Sequence, residues 1–108
     1  MCNKNFIYLL NDALENNHLQ RALDAVHTFK AADLADILTQ LPLSSSQILL
    51  VNLPARAYVF SYLKPQQQVK FAQVLPWATL AEIIGEMPSD KRADIFKQLD
   101  LEQQNVLL

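Results

Sequence analysis

The stretch that decides the fold runs from Leu41 to Asp100. Broken at its own punctuation it reads LPLSSSQILLVN, LPARAYVFSY, LKPQQQVKFAQV, LPWATLAEIIGE, MPSDKRADIFKQ and LD. Each piece opens on a large apolar residue followed at once, or after one lysine, by a residue that stops or starts a helix. The junctions are Leu41-Pro42, Leu53-Pro54, Leu63-Lys64-Pro65, Leu75-Pro76, Met87-Pro88 and Leu99-Asp100, spaced 12, 10, 12, 12 and 12 residues apart. That spacing is too regular for the turns of an irregular chain. Proline has no N–H to give the preceding turn, and its ring pushes the residue before it out of the helical region. The same ring suits the first turn of the next helix, where an N–H would have had no partner. At the last junction Asp100 can accept from the free N–H groups of a following turn, with Gln103 at the reciprocal capping position. Gly85 is the single glycine, so these corners cannot depend on left-handed glycine caps.

Working outward, the residues between junctions recur at helical spacing. Ala31 to Leu41 places Leu34, Ile37, Leu38 and Leu41 on one stripe, with Asp33 and Asp36 near a helix start where carboxylates suit the dipole. Ser44 to Leu53 contains Ile48-Leu49-Leu50-Val51, which alone reads equally as a buried strand; the flanking prolines and the register decide for helix. Ala55 to Leu63 offers Ala57, Phe60 and Leu63, and Gln66 to Leu75 offers Val69, Ala72 and Leu75 with Phe71 and Val74 beside them. Trp77 to Met87 carries Trp77, Leu80, Ala81, Ile84 and Met87, and Ser89 to Leu99 carries Ala93, Phe96 and Leu99. A further helix begins at Leu101. Ahead of the repeats, Asn5 to Asn16 and His18 to Phe29 are two amphipathic segments joined by a tight turn, which predicts an antiparallel pair.

Helices of about ten residues are marginal in isolation, because nucleation fixes several residues for one hydrogen bond. They must be held by their neighbours. The prediction is one all-α domain over 1–108: an N-terminal helical pair in 1–30, then short-helix repeats in 31–108, stacked antiparallel into a superhelix of the armadillo or HEAT kind.

The 108 residues are 51% hydrophobic, enough for a core of one domain. A net charge of -2 with dispersed basic residues argues against nucleic acid. Cys2 is the lone cysteine, which rules out an internal disulfide and agrees with a reducing compartment. The longest apolar run, Phe6-Ile7-Tyr8-Leu9-Leu10, is far short of the roughly 20 residues that span a bilayer. No phosphate loop, nucleophile elbow or metalloprotease motif is present, and no convergent set of nucleophiles, so an enzyme is not expected.

The run Ala32-Asp33-Leu34-Ala35-Asp36-Ile37-Leu38 followed by Leu41-Pro42 resembles the opening motif of the cytosolic N domain of MgtE-type magnesium transporters. Ala55 to Leu63, then Leu75-Pro76-Trp77 with Leu80-Ala81-Glu82-Ile83-Ile84, then Met87-Pro88-Ser89-Asp90 with Ala93-Asp94-Ile95-Phe96, continue it in order over roughly residues 18 to 108. The resemblance implies a right-handed superhelix that senses cytosolic magnesium, docks on a CBS domain pair when the ion is bound, and so favours a closed membrane pore. The expected partners are that CBS pair and pore, the expected place is the cytosolic face of the inner membrane, and a homodimer is left open. No direct insertion into the membrane is expected.

The family's ion-contacting acids in the last repeat match Asp90 and Asp94, with Glu86 adding to the same acidic end. At i, i+4 two carboxylates share one helix face and repel unless something positive intervenes. Magnesium takes oxygen ligands, often one or two carboxylates plus water, so Asp90 and Asp94 make half a site and a partner domain would supply the rest. Three departures matter. Tyr58 in Ala57-Tyr58-Val59 stands where the family often has an acid, Lys91 replaces the usual second acid after Asp90, and Lys30-Ala31 replaces a His-Pro. His18 and His27 have no paired ligand and read as solvated, and Trp77 reads as a packing anchor or else an interface residue. The other reading is an ion-independent interaction superhelix resembling the middle domain of the flagellar motor switch protein.

Overall fold

The computed structural model describes residues 4–98 and folds them into eight helices. They are α1 (Lys4–Glu15), α2 (Leu19–Val26), α3 (Ala31–Gln40), α4 (Leu43–Asn52), α5 (Arg56–Tyr62), α6 (Pro65–Val74), α7 (Trp77–Gly85) and α8 (Ser89–Gln98). Among the described residues there is no strand, and the ambiguous run Ile48–Val51 lies inside α4. Cys2, the junction at Leu99-Asp100, the cap at Gln103 and the helix from Leu101 lie outside the described residues.

The corners are built as proline chemistry requires. Leu41, Leu53 and Leu75 stand in extended conformation, with ψ of 153, 136 and 145°, because the ring that follows excludes the helical one. Pro42 and Pro76 cap the next helices through their carbonyls, which accept from Ser46 N–H at 2.9 Å and Leu80 N–H at 3.0 Å. Pro65 stands inside the first turn of α6. The α1–α2 turn works differently: Asn17 takes the left-handed region at φ 63°, and His18 N–H reaches back to the Ala13 carbonyl at 2.8 Å. Asparagine tolerates that conformation in place of glycine.

Each closing residue, Leu41, Leu53, Leu63, Leu75 and Met87, is buried, so the twelve-residue beat is the beat of side chains returning to the core. One hydrophobic cluster runs from Leu10 to Ile95. α3 packs on α5 and α5 on α7, while α6 packs on α8, so alternate helices form successive rungs; α1 and α2 pair and both close on α4. The stack is elongated, 40 Å by 23 Å by 21 Å.

Several inward assignments shift. Trp77, expected as an anchor, is 41% exposed. It is the first residue of α7, where the Cα–Cβ bond tilts toward the helix N-terminus and carries the ring beyond the packed stripe. Ala81 and Ala93 face out, while Ile83 and Ile95 take the buried places: where an alanine and an isoleucine compete for the inner face, the larger apolar area wins. In α6 the inward set is Gln68, Phe71 and Ala72, followed by Leu75 at the C-cap, with Val69 half-buried and Val74 exposed.

Candidate functional site

α8 begins where the Pro88 carbonyl accepts from Arg92 N–H at 3.0 Å. Asp90 falls in its first turn and Lys97 in its last, charges that match the positive and negative ends of the helix. Ile95 is the buried residue that fixes the helix against the stack, and Asp90, Lys91 and Asp94 are all exposed. Asp90 and Asp94 therefore stand one turn apart on an outward face. Arg92 turns toward Ser89, its Nη2 donating to Oγ at 3.2 Å.

Glu86 does not join them. Its two carboxylate oxygens accept from Arg56, Oε1 from Nε at 3.1 Å and Oε2 from Nη2 at 2.8 Å, and Nη2 also reaches Glu82 Oε2 at 3.2 Å. Arg56 Nη1 donates to the Val51 carbonyl at 3.2 Å. One guanidinium thus ties the end of α4 and the start of α5 to α7. The hydrogen bond to Arg56 holds the Glu86 carboxyl below its ordinary range, and the same bond holds the Arg56 guanidinium in its charged form. Both carboxylates are well exposed, so solvent limits each ion pair to about 1 kcal/mol or less.

Among the described residues no three His, Cys, Asp or Glu side chains come together to hold a metal, so Glu86, Asp90 and Asp94 do not form a three-ligand set. What α8 presents is a pair of hard oxygen donors, the right chemistry for magnesium but only part of its coordination shell. Exposed Lys91 beside Asp90 weakens the local field. Asp33 lies in the first turn of α3, and Asp36 Oδ2 accepts from Gln40 Nε2 at 3.3 Å. His18 and His27 are both exposed, and His27 Nδ1 donates to the Asp24 carbonyl at 2.6 Å.

Sequence reasoning passed over two features. The first is Arg56, although it is the one charged residue between Ala55 and Leu63, and Glu82 and Glu86 form an i, i+4 acidic pair. The second is the set of buried polar residues Ser45, Ser46 and Gln68. Ser46 Oγ donates to the Leu38 carbonyl at 2.6 Å, and Gln68 Nε2 to the Phe60 carbonyl at 3.0 Å. In each case the donor is eight residues past the acceptor, one at the α3–α4 corner and one at α5–α6. Ser45 Oγ bonds Asn11 Oδ1 and ties α4 to α1. A polar residue recurring 22 positions apart within the repeat, at 46 and 68, was the available signal.

No described helix is long and apolar enough to cross a membrane. No curated protein and no solved structure matches the chain. Residues 29–108 match the family model of the MgtE intracellular N domain, which covers α3 through α8 and leaves the α1–α2 pair ahead of it. With most of its length matched, and with the all-helical stack and proline corners described above, the chain belongs to the MgtE intracellular N domain family.

Proposed function

We propose that this chain is the magnesium-responsive cytosolic regulatory element of a magnesium transporter, engaging a CBS module through the outward face of α8. The observation that carries the reading is the exposure of Asp90 and Asp94, one turn apart, on a helix inside the family match. Two carboxylates on one turn repel, and a cation relieves that repulsion. Because they supply two ligands of an octahedral shell, the remaining ligands come from water and from the partner, so the ion acts between modules. A transporter domain family also gives no reason to expect catalysis.

The departures shape the strength of the response. Tyr58 is 57% exposed, so that position presents an aromatic ring where relatives often present a carboxylate. With Lys91 next to Asp90, the chain alone should respond weakly.

The test is a magnesium titration into the millimolar range, following the backbone amides of Asp90 and Asp94 by NMR, with and without a CBS module. Weak shifts for the chain alone, stronger ones with the module, and loss of both in the double variant Asp90→Asn, Asp94→Asn are expected. The second reading, an ion-independent interaction superhelix, is favoured by the engagement of Glu86 with Arg56. Docking unchanged by magnesium, with no shifts in either condition, would establish it in place of the first.

A further inference from the structure

We infer that the cavity between α2 and the α4–α5 corner is a binding site for a small organic cation, an ammonium or guanidinium head carried on a hydrocarbon stem. The spacing from Leu53 to Leu63 is ten residues where its neighbours are twelve, and α5, with seven residues, is the shortest of the described helices. At the start of that shortened repeat lies a cavity of about 370 Å³, within the size range of small-molecule sites. Buried Val26, Leu34 and Leu53 and half-buried Leu23 and Phe29 make its floor. Phe29 meets Phe6 of α1 with ring centroids 5.6 Å apart, so α1 helps to hold the apolar wall in place.

The rim is polar and one-sided. Gln20, Asp24, His27 and Asn52 line it and are exposed. Gln20 Nε2 donates to Asp24 Oδ1 at 2.9 Å, His27 Nδ1 to the Asp24 carbonyl at 2.6 Å, and Asn52 Nδ2 to the Ile48 carbonyl at 2.7 Å. A ring nitrogen that bonds a carbonyl carries the proton, so Nε2 of neutral His27 is an acceptor. What stays open is the second Asp24 oxygen, the Gln20 and Asn52 carbonyls and that Nε2, against a single remaining N–H on each amide. Asp24 is the only acid lining the cavity, and no Lys or Arg lines it. Among the described residues Asp24 makes no ion pair. An anion would meet the carboxylate, and a plain hydrocarbon would leave it unanswered. A bare metal ion would find one carboxylate above an apolar floor, too few oxygens for its shell. An ammonium or guanidinium supplies the charge and several donors while its stem covers the floor, so apolar area gives affinity and the carboxylate selects charge. No residue of the magnesium reading is used, so either proposal can fail alone.

The test is an NMR titration of the full chain with phenethylammonium chloride through the millimolar range. Two controls divide the ligand: phenethyl alcohol keeps the stem without the charge, and methylammonium keeps the charge without the stem. Phenethylammonium should give saturable shifts at the backbone amides of Leu23, Asp24, His27 and Ala55, and each control should bind about tenfold more weakly or worse. Asp24→Asn keeps the shape of the rim and removes its charge, and should weaken phenethylammonium by about tenfold or more. Glu15→Gln removes an exposed acid that does not line the cavity and should bind as wild type does. Both positions are exposed, and circular dichroism checks that the variants fold. Shifts that do not saturate, equal binding of the alcohol, or an Asp24→Asn variant that binds as tightly as wild type overturns the inference. So does saturable binding of an arginine-containing tripeptide with none of phenethylammonium, which would assign the cavity to a protein partner.

Discussion

Replacing Ser46 by alanine tests the link between the proline corners and the polar residues in the core. In an uninterrupted helix the Leu38 carbonyl would accept from the N–H of residue 42. That residue is Pro42, which has none, and the Leu41 N–H is spent on the Ile37 carbonyl at 3.2 Å. Leu38 is 2% exposed, so water is a poor substitute. The Ser46 hydroxyl, itself fully buried, fills the vacancy at 2.6 Å. Ser46→Ala removes one atom and leaves almost no cavity, so the cost is that of a buried acceptor without a donor, about 1 to 3 kcal/mol. At about 4 to 8 °C per kcal/mol for a domain near this size, the middle of that range lowers Tm by roughly 8 to 16 °C. Urea and thermal melts followed by circular dichroism measure it, with Ser44→Ala as the control because Ser44 is exposed. The control should fall within about 0.5 kcal/mol of wild type. If Ser46→Ala does the same, the corner carbonyl is not what Ser46 serves and the reasoning is refuted.

The Arg56 tie gives a pH prediction. The Glu86 carboxyl titrates below its ordinary 4.5 in the folded chain, so its stabilising contribution is full above that value and is lost as pH falls through the lower folded value. Glu86→Gln should cost about 1 kcal/mol or less near neutral pH, an effect that shrinks in high salt and vanishes in acid; urea midpoints at neutral and acidic pH, with and without salt, check it. Gly85 closes α7 without a positive φ, and a Cβ built there meets nothing within 4 Å. Gly85→Ala should therefore stabilise by about 0.5 to 1 kcal/mol, read as a higher urea midpoint.

The helices were legible because proline acts locally. Its effect on Leu41, Leu53 and Leu75 needs no knowledge of what those residues pack against, and a beat of twelve survives whatever the tertiary arrangement. The inward faces of α6, α7 and α8 were less legible. Ala81 and Ile84, or Ala93 and Phe96, lie on apolar stripes that periodicity alone cannot rank, and the choice of Ile83 and Ile95 depends on which neighbour each helix meets. Gln68 illustrates the deeper difficulty. As a glutamine it reads as surface, yet it is buried, where its Nε2 adds a second hydrogen bond to the Phe60 carbonyl that the Leu63 N–H already reaches. Of the candidate site, Asp90 and Asp94 could be placed on one face from i, i+4 spacing. That Glu86 answers to Arg56 could not, because the partners lie 30 residues apart.

The same corners determine where a partner can be met. Interior helices of a stack have neighbours on both sides and spend their apolar residues on them: α4 buries Leu49 and Leu50 along with Ser45 and Ser46, and α5 buries Ala57, Val59 and Phe60. The last described helix, α8, is more polar. Among the side chains described in α8, Ile95 is buried and Phe96 half-buried, and charged residues occupy much of the rest. Asp90 and Asp94 stand a turn apart on this helix, with Lys91, Arg92 and Lys97 among the same ten residues. The tie at Arg56 engages Glu82 and Glu86 within the fold, apart from the exposed acids Asp90 and Asp94 of α8. Under the function proposed above, a cation would join Asp90 and Asp94 to oxygen ligands of a second module, and the proline-cornered stack would fix where that meeting occurs.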